Sequence, residues 1–136
     1  MQDSPKFVTK EQVLLLHELQ INRFGGAFGI VNEGLLDSVL AQPKATFFGE
    51  FLHREIHEQA AAYLYHLVKN HPFLDGNKRV GAAVMEVFLR INGYVLTLSN
   101  EELYNLTMQV AQGQLSKDEV SALIYENMQP LDSKLQ

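Results

Sequence analysis

At three places in this chain a Ser or Thr followed three positions later by Gln or Glu opens an apolar run with helical spacing. Thr9-Lys10-Glu11-Gln12 precedes Val13, Leu16, Leu19 and Ile21, while Ser99-x-x-Glu102 and Ser116-x-x-Glu119 open runs that end near Gly113 and Met128. In such a box the hydroxyl accepts from a free backbone N–H of the first turn, and the longer side chain reaches back to the cap. The helix start is therefore specified locally.

Periodicity supplies three more helices. Asn32 caps a short one through Leu35, Leu36, Val39 and Leu40, ending before Pro43. Ile56, Ala60, Tyr63, Leu64 and Leu67 mark another from His53 to Asn70, which stops because the residue before Pro72 avoids the α region. Val80, Val84, Val87, Phe88 and Ile91 mark a third from about Asn77 to Gly93, a glycine suited to the position after a helix end. The first helix runs to about Arg23, where Gly25-Gly26 and Gly29 break it. Lys44 to Leu52, with Thr46, Phe47, Phe48 and Phe51, reads as a loop or short hairpin, and Tyr94 to Leu98 as a short extended segment. Six helices with short connections make an all-α fold. At 136 residues and 46% hydrophobic content, the length suits one domain over 1–136 with its own core.

Composition excludes several functions. There is no cysteine, hence no disulfide, thiolate zinc site or cysteine nucleophile. No basic-plus-apolar leader and no apolar run of about 18 residues occurs, so the expectation is a cytoplasmic protein with no membrane association. A net charge of −5 speaks against direct nucleic-acid binding.

Against that acidic background, His71-Pro72-Phe73-Leu74-Asp75-Gly76-Asn77-Lys78-Arg79 joins the third and fourth helices and carries a concentrated set of chemistries. Gly76 lets backbone approach a ligand, and free N–H groups at a helix start attract anions. Asp75 is a hard oxygen ligand suited to Mg²⁺. Asn77 can donate to a phosphate oxygen, and Arg79 can clamp one with its fork of donors. His71 has the residue type to take a proton from an attacking hydroxyl. Phe73 reads as a core anchor for the loop more readily than as a substrate contact. Together these are the parts of a phosphoryl- or nucleotidyl-transfer site. Taken alone, Asp75-Gly76-Asn77 would be an ordinary turn and Lys78-Arg79 a solvated helix face.

The stretch resembles the Fic motif, H-P-F-x-D/E-G-N-G-R, with Lys78 where most members carry the last glycine. That lysine, the chain length and Gly34-Leu35-Leu36-Asp37-Ser38 resemble the Doc branch, toxins of toxin–antitoxin pairs. The resemblance implies a Fic/Doc-type helical bundle with a short flap. It implies His71 as base, Asp75 as Mg²⁺ ligand, and a nucleotide site of Phe73, Asp75, Gly76, Asn77, Lys78 and Arg79. Lys44, Thr46 and Phe47 would lie in a flap that holds a target peptide as an added strand. The implied cofactors are ATP and Mg²⁺, and the implied partners a protein target such as elongation factor Tu and an antitoxin.

Two departures from the common Fic pattern bear on the reaction. Ala82 stands where a second arginine is usual, and no Ser/Thr-x-x-x-Glu-Gly/Asn inhibitory helix occurs in the chain. In the Doc branch Lys78 goes with a reversed ATP that delivers its γ-phosphoryl group, whereas Gly76 agrees with ordinary Fic proteins, which transfer AMP. The expectation is a protein kinase of the Doc type, with protein AMPylation as the alternative. A catalytically idle antitoxin-binding module is a third reading, opposed by the intact His71, Asp75 and Asn77. Elsewhere, His53 and His57 share a helix face but lack further ligands, and His17 and His66 read as satisfied core-edge residues.

Overall fold

The structure, a computed structural model, describes residues 4–131; the ends of the domain expected over 1–136 lie outside the described residues. Six helices carry the chain: α1 (Lys10–Phe24), α2 (Glu33–Ala41), α3 (Ile56–Asn70), α4 (Asn77–Ile91), α5 (Asn100–Ala111) and α6 (Lys117–Glu126). The all-α expectation holds. Each of the three hydroxyl boxes forms reciprocally, as at Thr9, whose Oγ1 accepts from Gln12 N at 3.2 Å while its own N–H donates to Gln12 Oε1 at 2.9 Å. Asn32 caps α2 by accepting from Leu35 N at 2.9 Å.

Helix α3 is the axis of the bundle. Ala60, Ala61, Ala62, Tyr63 and Leu64 are all buried, and successive helical residues point about 100° apart. A run of that kind has protein on nearly every side. α2, α4, α5 and α6 all pack against it, and the three alanines keep its girth small enough to allow that. The sequence marks one apolar face; the remaining burial comes from neighbours. α3 and α4 approach so closely at Gly81 that an added Cβ would lie 2.9 Å from Val68 Cγ2. Around this seam Tyr63, Phe88 and Met85 fill the core, and the Tyr63 hydroxyl accepts from Val8 N at 3.0 Å, fastening the segment before α1.

Two boundaries differ from expectation, while the expected hairpin forms. α3 starts at Ile56, not His53, because Glu55 and Glu58 form a reciprocal cap and Gln59 Nε2 donates to the His53 carbonyl at 2.9 Å. A glutamate at the cap escapes the usual Ser/Thr signature. The extended segment after α4 is only β3 (Tyr94–Leu96), and it pairs antiparallel with β4 (Met128–Pro130), a strand too short to read from sequence. The 44–52 segment resolves into a 3-10 turn, Gln42–Lys44, followed by a hairpin of β1 (Thr46–Phe47) and β2 (Glu50–Phe51).

Gly81→Val should overpack the α3–α4 seam and lower stability by about 1–3 kcal/mol. Urea unfolding would measure it; an unchanged midpoint would show that the seam has slack.

Candidate active site

α3 ends on His71 in the left-handed region (φ 50°, ψ 58°), where a non-glycine residue is uncommon. The turn swings the chain into Pro72 and leaves His71 exposed. The next residues are held from two directions. Val31 N donates to the Pro72 carbonyl at 2.8 Å, and Leu74 N donates to the Gly29 carbonyl at 3.0 Å, so Ile30 and Phe73 oppose each other as an antiparallel bridge. From the other side Asn77 closes the loop: its Oδ1 accepts from Phe73 N at 3.0 Å and its Nδ2 donates to the Phe73 carbonyl at 2.9 Å.

This gives Asn77 a structural role beside its reading as a phosphate donor. The side chain is buried, with its carbonyl oxygen and one of its two amide hydrogens bound to the loop backbone. Phe73 is the residue to correct: it does not line the cleft as a nucleotide-binding residue. It is 1% exposed, and its ring stacks on His17 at 3.9 Å with 9° between the planes. It anchors the loop in the core.

His17 has a larger part than that of a satisfied core-edge residue. Its Nε2 lies 2.8 Å from the Asp75 carbonyl, which can only accept, so Nε2 carries the proton and donates. A lone histidine on an apolar helix gave no sign of this contact from 58 residues away. Asp75 is further fixed by two backbone donors, Gly76 N to Oδ1 at 2.8 Å and Ala27 N to Oδ2 at 3.3 Å. The carboxylate presses against the loop after α1, where a Cβ on Gly26 would meet Oδ2 at 2.7 Å. Both oxygens keep acceptor capacity toward a cation. Among the described residues no cluster of three or more potential ligands forms. A single fixed carboxylate fits Mg²⁺, which completes its shell with phosphate and water oxygens.

Gly76 then takes φ 77° and hands the chain into α4. Among the described residues nothing accepts from the N–H groups of Asn77, Lys78 and Arg79, and no side chain caps the helix. Those three donors, added to the positive end of the helix, suit an anion. They open into a cleft of about 810 Å³ between α1, α4 and α5, lined by Asp75 through Arg79. Arg79 donates from Nη2 to the Gly25 carbonyl at 3.2 Å. Its guanidinium and that of Arg23 lie 5.3 and 5.2 Å from the Phe24 ring centre. Arg23 is a cleft cation the sequence hid, because an arginine in the last turn of a helix is an ordinary partner of the helix dipole. His71 is not part of the cleft lining.

Of the residues expected in a flap, Thr46 and Phe47 are exposed in β1 of the hairpin, whereas Lys44 belongs to the turn before it. Two of the remaining histidines have side-chain partners within the bundle. His57 Nδ1 pairs with Ser121 Oγ at 2.9 Å, and burial together with the nearby Lys117 holds His66 down to about 4, hence neutral.

The Fic/DOC family model matches residues 7–89, from the segment before α1 to the end of α4. The chain belongs to the Fic/DOC family. Among relatives, "Toxin Doc" of Mycolicibacterium smegmatis is 33% identical over 119 residues, covering 86% of this chain and 89% of its own length. "Protein kinase doc" of Escherichia phage P1 is 30% identical over 116 residues, covering 85% and 90%. Both alignments extend well beyond the family motif, and both names belong to the Doc branch.

Removing the loop clamp from this Fic/DOC fold should show in stability. Asn77→Ala leaves the buried Phe73 N–H unpaired, at a cost of about 1–3 kcal/mol. Denaturant unfolding and amide exchange at Phe73 would test it; wild-type values for both would return Asn77 to a ligand-only role.

Proposed function

We propose that this chain is a Doc-like toxin that transfers the γ-phosphoryl group of Mg·ATP to a serine or threonine hydroxyl of a target protein. The observation that carries the reading is the cleft end where three unpaired N–H groups, Lys78, Arg79 and Arg23 converge beside Asp75. The name of the phage relative, a protein kinase, supports the same chemistry.

In this scheme the target segment adds to the open edge of β1 beside Thr46 and Phe47, since backbone pairing there needs no particular target sequence. His71, exposed at the end of α3, takes the hydroxyl proton on a ring nitrogen as the oxygen bonds to the γ-phosphorus and the bond to ADP breaks. The α4 N–H groups, Lys78 and Arg79 hold the phosphate oxygens in place. Asp75 would hold Mg²⁺, which neutralises charge on the phosphates when bound. Because the chain carries no inhibitory helix motif, a separately encoded antitoxin is the proposed silencing partner, and a translation factor such as elongation factor Tu a proposed target. Among the described residues no helix is long and apolar enough to cross a membrane, which suits an encounter with such a target.

AMP transfer is the second reading, favoured by Gly76, which ordinary Fic proteins share. Labelled nucleotides separate the two. Incubation with target and γ-labelled ATP should label the target, and α-labelled ATP should not; the opposite result establishes AMP transfer. Lys78→Gly should weaken γ-transfer.

His71→Ala should lower transfer by about 10²–10⁴-fold while nucleotide binding persists. Asp75→Ala should weaken Mg·ATP binding and activity together. Calorimetry alongside the transfer assay checks both. Near-normal transfer by a folded His71→Ala protein would remove His71 from the mechanism.

A further inference from the structure

The cleft has two unlike ends. At the start of α4 it is cationic. Along α4 it is lined by Arg79, Ala82, Ala83 and Glu86, a stripe with the i, i+3, i+4, i+7 spacing of one helix face. Seven residues separate Arg79 from Glu86, or roughly 10 Å at the helical rise of about 1.5 Å per residue. Between them stand two methyl groups and no cation. Facing this stripe, α5 contributes Tyr104, which is 63% exposed, and Met108.

Glu86 is the acidic member of this stripe. Among the described residues no cation lies within 4.0 Å of it, as for most carboxylates of the chain. Its side chain is exposed, and partial desolvation of the carboxyl holds it above the usual range, with Arg90 one turn on only partly offsetting it. An unpaired acceptor in a cleft wall, opposite an aromatic ring, is complementary to a flat ligand that carries hydrogen-bond donors. A phosphate chain laid along the same stripe would find no counter-charge at Ala82 and would meet a carboxylate at Glu86.

We infer that Glu86 is a specificity-determining residue that accepts a hydrogen bond from the nucleoside end of the donor nucleotide and turns its phosphates toward the opposite end of the cleft. The inference rests on the ATP-dependent reading above and deepens it: orientation is decided by a repulsive group at the far end as well as by the anion site at the near end. The donor is the exocyclic amine of the base or a sugar hydroxyl.

Calorimetric titration of the full chain with Mg·ATP and with Mg·tripolyphosphate tests it, because only the first has a nucleoside. Glu86→Ala should weaken Mg·ATP binding by about tenfold or more, as expected for a lost charge-assisted hydrogen bond, and leave Mg·tripolyphosphate unchanged. Glu86→Gln, which keeps an acceptor oxygen, should recover part of the loss. Inosine triphosphate and 2′-deoxy-ATP identify the donor: the analogue lacking it should bind the wild-type chain weakly and be insensitive to Glu86→Ala. Wild-type affinity of a folded Glu86→Ala protein for Mg·ATP would overturn the inference alone. Tighter binding of both ligands would overturn it too, by showing that Glu86 faces phosphate. Failure of the wild-type chain to bind Mg·ATP would overturn the proposed function with it.

Discussion

The candidate site depends on a short piece of backbone pairing between the loop after α1 and the loop before α4. Gly29 and Val31 exchange two hydrogen bonds with Leu74 and Pro72, so two segments more than forty residues apart behave as one stiff unit. Each such bond contributes only about 0.5–1.5 kcal/mol net. Their effect here is geometric. With the loops locked together, Ala27 N reaches Asp75, Gly25 O receives Arg79, and Gly26 leaves room for the Asp75 carboxylate. The glycines that merely break the first helix in the sequence form one wall of the site.

Residues that hold the loop and residues positioned to act on a ligand divide cleanly by burial. Phe73, Asn77 and His17 are buried; Asn77 spends its amide on the backbone of Phe73, and His17 spends its Nε2–H on the carbonyl of Asp75. His71, Asp75 and Lys78 are exposed. This division has a physical cause. A buried polar group left unpaired is costly, so buried amides and imidazoles are drawn to backbone partners. The α4 N–H groups escape the rule because they face an open cleft where water or an anion can satisfy them.

The electrostatic layout follows from the same architecture. α4 points its positive end into the junction of the two loops, and α1 delivers Arg23 there from its last turn, so two helix ends meet at one place. Charge is thereby concentrated locally in a chain whose net charge is −5. The other side of the α4 face is alanine and glutamate, which gives the cleft a polarity that a uniformly basic groove would lack.

Helix starts, the all-α class and the identity of the motif were legible in the sequence, because caps, periodicity and the chemistry from His71 to Arg79 are written within a few residues of one another. Local hydrogen bonding settles such features before any long-range contact forms. The roles of Asn77, His17, Arg23 and Gly26 were not legible. Asn77 has a ligand-like residue type, and only the buried backbone of Phe73 shows that its amide also holds the loop. His17 acquires its partner across 58 residues of chain, and Arg23 lines the same cleft as the distant motif, a separation at which sequence spacing carries no register. The tertiary fold decided which of the motif's polar groups face a ligand and which face the protein, because that choice depends on what lies on the other side of each side chain.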